Sequence, residues 1–91
     1  MIHDVPVCYV YYITDGLRVK VGIAKNVAKR VKALQTGNGG KLEIVHTIPF
    51  SSRALAFKKE ASLHKMYSSY RMHGEWFSLN VLRNLPDIKE T

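Results

Sequence analysis

The feature that most constrains this chain is its first hairpin. From Tyr9 to Ala24 it reads YVYYITDGLRVKVGIA, two apolar runs on either side of Asp15-Gly16. β-Branched and aromatic residues suit the pleated, half-buried surface of a strand. Asp-Gly is a strong signal for a tight turn, since both residues tolerate positive φ. The outgoing strand reads VPVCYVYYIT from Val5, and the returning one, LRVKVGIA, alternates apolar residues with Arg18 and Lys20. Two antiparallel strands of this kind must be covered by apolar elements elsewhere in the chain.

The rest of the sequence supplies that cover. Asn26 can cap a helix through VAKRVKALQ, which TGNGG ends. KLEIVHTIPF alternates as a third strand, and Ser51 or Ser52 opens a second helix, RALAFKKEASLHKMYSSY. After Gly74, EWFSL is a short extended piece, and Asn80 can cap a last turn through VLRNL. The expectation is a single domain over residues 1–91 of the α/β (α+β) class. It should hold a small three-stranded, mainly antiparallel sheet flanked by helices, in the order ββαβα with a short C-terminal tail.

Ninety-one residues leave no room for a second core, and a 46% hydrophobic content is enough for one without staples. The single cysteine, Cys8, gives no disulfide framework, so a reduced, intracellular setting is expected. The first residues lack a basic region followed by a long apolar run. No signal peptide is therefore expected, and no segment is long enough to span a membrane. Fourteen Lys and Arg against seven Asp and Glu leave a formal charge of +7. That excess favours a polyanionic partner, nucleic acid ahead of a membrane surface, because no helix carries the bulky apolar face of a membrane binder.

Helical rotation, roughly 100° per residue, singles out two residues. On the first helix Val27, Val31 and Leu34 form the core stripe, with Lys25, Lys29 and Lys32 opposite. Arg30 lies about 60° from Val27, at the edge of the stripe. It either snorkels past the core rim or emerges at a crevice between helix and sheet. On the second helix the apolar face is drawn by Ala54, Ala56, Phe57, Ala61, Leu63, His64 and Tyr67, and Glu60 falls inside it. A carboxylate there needs a compensating base or a hard metal ion.

YVYYI, then VKVGIAKNVAKR, then a helical Glu before SLHKMYSSYRMHGEWF, resembles the GIY-YIG endonuclease superfamily. The likeness is to its short phage and bacterial branch and covers residues 8 to 79. Tyr11 matches the tyrosine of the first tripeptide and Gly22 the glycine of the second. Arg30 matches the arginine of the first helix, and Glu60 the metal-binding glutamate. Two positions depart from the pattern. Lys20 replaces a tyrosine, and Leu34 stands where many members have a histidine, which excludes a histidine base there.

The resemblance implies a metal-dependent endonuclease hydrolysing phosphodiester bonds, DNA ahead of RNA, in a phage or mobile-element setting. Glu60 would hold one Mg²⁺ or Mn²⁺, Arg30 would clamp the phosphate, and Tyr11 with Lys20 would activate water. A tyrosine acting as phenolate near pH 7 costs about 4 kcal/mol, which a neighbouring cation reduces. Tyr9, His64 and Glu75 are supporting candidates, each with a plain structural alternative. Trp76 and Phe77 read as core closure. Lys25, Lys29, Lys32, Lys58, Lys59 and Arg71 would track the nucleic-acid backbone. His3, His46 and His73 lack zinc-ligand spacing. A monomer or homodimer is expected, with any targeting left to a separate partner. The rival function is a nucleic-acid-binding module that keeps the fold without cutting.

Overall fold

The computed structural model describes residues 6–84. Val5 of the first expected strand, His3, and Leu85 of the last expected turn lie outside the described residues. The strands are β1 (Cys8–Thr14), β2 (Arg18–Ala24), β3 (Glu43–Phe50), β4 (Arg71–His73) and β5 (Trp76–Ser78). The helices are α1 (Val27–Thr36) and α2 (Arg53–Met66), with 3₁₀ turns at Ser68–Tyr70 and Leu79–Asn84. The sheet runs β3-β1-β2-β5-β4, and every neighbouring pair is antiparallel.

The expected α+β class and the first five elements are present, but the three-stranded sheet is corrected to five strands. The order ββαβα with a tail becomes ββαβαββ. The reason is local. β4 and β5 have three residues each, too few to show alternation, and β4 is exposed throughout. Their turn rests on Gly74, whose φ of +59° suits a residue without a Cβ.

The first hairpin turns at Asp15-Gly16 by different means at its two residues. Gly16 takes a φ of +95°, whereas no described non-glycine residue has positive φ. Asp15 instead works through its side chain. Its Oδ1 accepts from the Leu17 and Arg18 backbone N–H groups at 2.9 and 3.1 Å. The Leu17 bond is the largest reason that the Asp15 carboxyl titrates below the usual range, with the Arg18 guanidinium adding to it. Both helices start at their expected caps. Asn26 Oδ1 accepts from Lys29 N–H, and Ser52 Oγ from Leu55 N–H. The TGNGG segment is tied by Gln35, which accepts from Leu42 N–H and donates to the Gly40 carbonyl, both at 2.8 Å.

Alternation along the hairpin sorts side chains between two faces. Cys8, Val10, Tyr12, Val19 and Val21 pack with Ala56, Leu63 and Tyr67 of α2 and its C-cap, and with Phe77 and Val81. There the Tyr12 and Tyr67 hydroxyls share a buried hydrogen bond of 2.9 Å. Tyr11, Ile13 and Ala24 pack on the other face with Val27, Val31 and Leu34 of α1, and with Leu42 and Trp76. The helices therefore lie on opposite sides of the sheet. Trp76 and Phe77 close one core each.

The apolar face of α2 is narrower than expected. Ala54, Phe57 and Ala61 are exposed; the inward stripe is Ala56, Leu63 and Tyr67, flanked by half-buried Lys59, Glu60 and His64. Glu60 thus does lie on the inward side, but Phe57 is 59% exposed. Truncating Leu63 to Ala should cost about 2–5 kcal/mol in denaturant unfolding. Phe57→Ala should change stability by no more than about 0.5 kcal/mol.

Candidate active site

β2 has seven residues, but β5 pairs only with Arg18, Val19 and Lys20. From Val21 onward the β5 side of β2 carries no strand among the described residues. Around this half-open edge α1 and α2, on opposite faces of the sheet, reach the same space. The result is a cleft of about 310 Å³ lined by Tyr11, Lys20, Gly22, Arg30, Glu60 and Glu75, with Ile23, Leu34, Arg53 and Phe57. The four residues expected to be catalytic share this one cleft.

Each is placed by a local feature. Tyr11 and Gly22 are direct partners across β1 and β2, so they point to the same face. A Cβ on residue 22 would fall 2.6 Å from the Tyr11 hydroxyl oxygen and 2.7 Å from Cζ. The glycine is needed here for space, since the hydroxyl end of the phenol occupies the position a side chain would take. Lys20, two residues earlier on the same face, has its ammonium 3.0 Å from a Glu75 carboxylate oxygen and 5.5 Å from the Trp76 ring centroid. Arg30 reaches the cleft from the edge of the α1 stripe, as rotation requires.

Burial dominates the electrostatics. Tyr11 is 2% exposed, and desolvation raises its pKa above 10.0. The Arg30 guanidinium pulls the value back, while the Glu75 and Glu60 carboxylates push it further up. Glu60 is likewise raised, first by desolvation and also by Glu75. His64, Lys20 and Arg53 oppose that rise without cancelling it.

His64 is committed to the backbone. Its Nε2 lies 2.9 Å from the Val21 carbonyl, which only accepts, so Nε2 carries the proton. Nδ1 then accepts from an Arg71 guanidinium nitrogen at 3.5 Å. The ring also packs edge-on to Phe77. Val21 N–H donates to the Glu75 carbonyl at 3.4 Å. These bonds stand in for the missing strand, and they leave the Glu60 carboxylate 4.0 Å from His64 Nε2.

The other candidates are dispersed. Tyr9 lines a separate depression with Lys25, Asn26, Val27 and Thr47. Lys25 and Lys29 line a groove adjoining the cleft. Lys32 and Lys58 are exposed, Lys59 is half-buried, and Arg71 lies on β4 against His64 and Phe77. Two cleft residues, Arg53 and Phe57, are not among the site candidates expected from the sequence, which places Phe57 in the apolar face of α2. The signal was available: with Glu60 they follow i, i+4, i+7 spacing, which stacks them on one face of α2.

Among the described residues, no group of three or more His, Cys, Asp and Glu side chains could hold a metal. A divalent ion here would rest on Glu60, with water and substrate oxygens completing its shell. No helix among the described residues is long and apolar enough to cross a membrane.

The model of the T5orf172 domain family matches residues 8–90. The chain belongs to the T5orf172 family. Membership points to a nucleic-acid-related role. No curated protein and no solved structure matches the chain. The matched span of the T5orf172 domain takes in every residue of the cleft.

Two measurements check this geometry. Gly22→Ala should cost about 1–3 kcal/mol of stability through the clash with Tyr11, and in the Tyr11→Ala background it should cost markedly less. Glu60 bears on pH. With its folded pKa above the ordinary 4.5, the native state holds more protons than the unfolded chain. Stability should therefore fall as pH rises from that value through the raised one. Glu60→Gln should flatten the fall and raise the melting temperature at neutral pH, with the gain lost in acid.

Proposed function

We propose that this T5orf172 domain is a metal-dependent endonuclease of the GIY-YIG type that hydrolyses phosphodiester bonds, with DNA the favoured substrate. One observation carries the reading: Tyr11, Lys20, Arg30 and Glu60, from two strands and two helices, line a single cleft. The family is phage-associated with an endonuclease-like fold, which supports the same reading.

The donor set fits a hard divalent ion. Glu60 is an oxygen ligand whose charge is held back by desolvation, and a cation would relieve that cost. Mg²⁺ or Mn²⁺ bound there would polarise the phosphate and offset charge on the leaving oxygen. The chain's own residues supply the rest. Arg30 pairs its planar fork with the non-bridging phosphate oxygens, where a point charge would not suffice. Arg53 adds a second cation at the same wall. Glu75 fixes the Lys20 ammonium at the cleft and so positions it to orient the attacking water.

Tyr11 takes the proton from that water. Its raised pKa means that the resting phenol is neutral, and Arg30 is the cation on the protein that lowers the cost of the phenolate. The rate should therefore climb with pH through the neutral and mildly alkaline range, because the reactive fraction is the deprotonated one. Tyr11→Phe should be slow and lose that slope.

Cleavage of supercoiled plasmid and labelled oligonucleotides, with Mg²⁺, Mn²⁺ or EDTA, tests the reading. Arg30→Ala should lower the rate by about 10²–10³-fold, and Arg30→Lys should recover little. Glu60→Ala should abolish metal-dependent cutting with the fold retained by circular dichroism. Salt-sensitive binding without cutting by the unaltered chain would instead establish a binding module, with the Lys20–Glu75 pair as the first reason.

A further inference from the structure

Single apolar side chains on a protein surface need no explanation. Phe57 differs in its placement. It is 59% exposed yet lines the cleft that holds Arg30 and Glu60. It lies four residues after Arg53 and three before Glu60, so guanidinium, ring and carboxylate follow one another along the same face of α2.

The space beside the cleft continues this arrangement. A groove of about 420 Å³ shares Ile23, Arg30 and Arg53 with the cleft and adds Lys25 and Lys29, and no carboxylate lines it. A phosphate at Arg30 and Arg53 would thus lead, on one side, into a row of cations suited to further phosphates. The ring lies within the cleft itself, on the face of α2 that also carries Arg53, so a base next to that phosphate would meet it. In a duplex that base has neighbours on both faces and cannot stack on a protein ring without leaving the helix. Unpaired bases carry an open π-face, and aromatic side chains bind it with little regard to sequence.

We infer that the cleft takes an unpaired stretch of nucleic acid, with one base stacked on Phe57 and the adjoining phosphates running along the Lys25–Lys29 groove. The inference rests on the nuclease reading for the placement of the phosphate, and it narrows the substrate class to single strands, flaps or frayed ends. It also gives Phe57 a positioning role: the stacked base fixes which phosphate meets Glu60.

The test is binding of 2-aminopurine-labelled oligonucleotides, single-stranded and duplex, in EDTA so that nothing is cut. The unaltered chain should quench the single-stranded probe. Phe57→Ala should weaken single-strand binding by about 5- to 150-fold and remove the quenching. Phe57→Trp should keep both, and duplex binding should be unmoved by either variant. Single-strand binding with no quenching, or the same quenching in Phe57→Ala, would overturn the inference, as would an equal loss on duplex. The two ideas fail separately. Phe57-dependent quenching without metal-dependent cleavage keeps the stacking site and removes the nuclease. Cleavage indifferent to Phe57 does the reverse.

Discussion

The candidate site depends on a shortfall in pairing at one strand. β5 covers the first residues of β2 and then stops, so the rest of β2 keeps an open edge in the middle of the molecule. Buried backbone groups without partners are costly, and here side chains and a turn take the place of a strand. His64 meets the Val21 carbonyl and the Glu75 carbonyl meets the Val21 N–H. A full-length β5 would have closed this edge and separated the two faces of the sheet. Because it stops, Arg30 of α1 and Glu60 of α2 can approach one another around β2, although their helices pack on opposite cores.

The cleft brings three cations, Lys20, Arg30 and Arg53, to two carboxylates, Glu60 and Glu75. These charges do not pair off evenly. Glu75 takes Lys20 at 3.0 Å, while Glu60 keeps a raised pKa despite its basic neighbours. A carboxylate satisfied by its surroundings has its pKa held down, as happens at Asp15, first by the Leu17 N–H and then by the Arg18 side chain and backbone. The contrast within one small domain is instructive. Asp15 is satisfied by the fold; Glu60 is held at a cost to it, because desolvation outweighs its basic neighbours.

Much of the scaffold was legible in the sequence because it rests on short-range rules. β-Branched and aromatic content marked β1, alternation marked β2 and β3, and side-chain caps at Asn26 and at Ser51 or Ser52 marked the starts of both helices. Rotation about α1 put Arg30 at the core rim, and the same reasoning on α2 put Glu60 on the inward side. The failures came where local pattern is weak or where long-range packing decides. Three-residue strands carry no period, so β4 went unread and EWFSL, which holds β5, was legible only as a short extended piece outside the sheet. Phe57 was assigned to the core because it is apolar, yet α2 has only a narrow contact stripe against the sheet. Arg53 was passed over because its importance lies in the cleft, and the cleft exists only once β5 stops short. The space above Gly22 was not visible either, since it depends on the register that sets Tyr11 opposite.

The C-terminal hairpin links these points. Its Trp76 faces the α1 core and takes the Arg18 guanidinium on its ring at 4.1 Å, with Lys20 farther out at 5.5 Å. Phe77, one residue on, faces the α2 core and lies against His64 and Arg71. Glu75, at the turn, anchors Lys20 and bonds the β2 backbone through its carbonyl. Three consecutive residues therefore close both cores and set the last wall of the cleft. A domain this small has few residues to spare for supporting a site. Packing and positioning must be done by the same side chains, and an alteration in this hairpin acts on the sheet and on the cleft together.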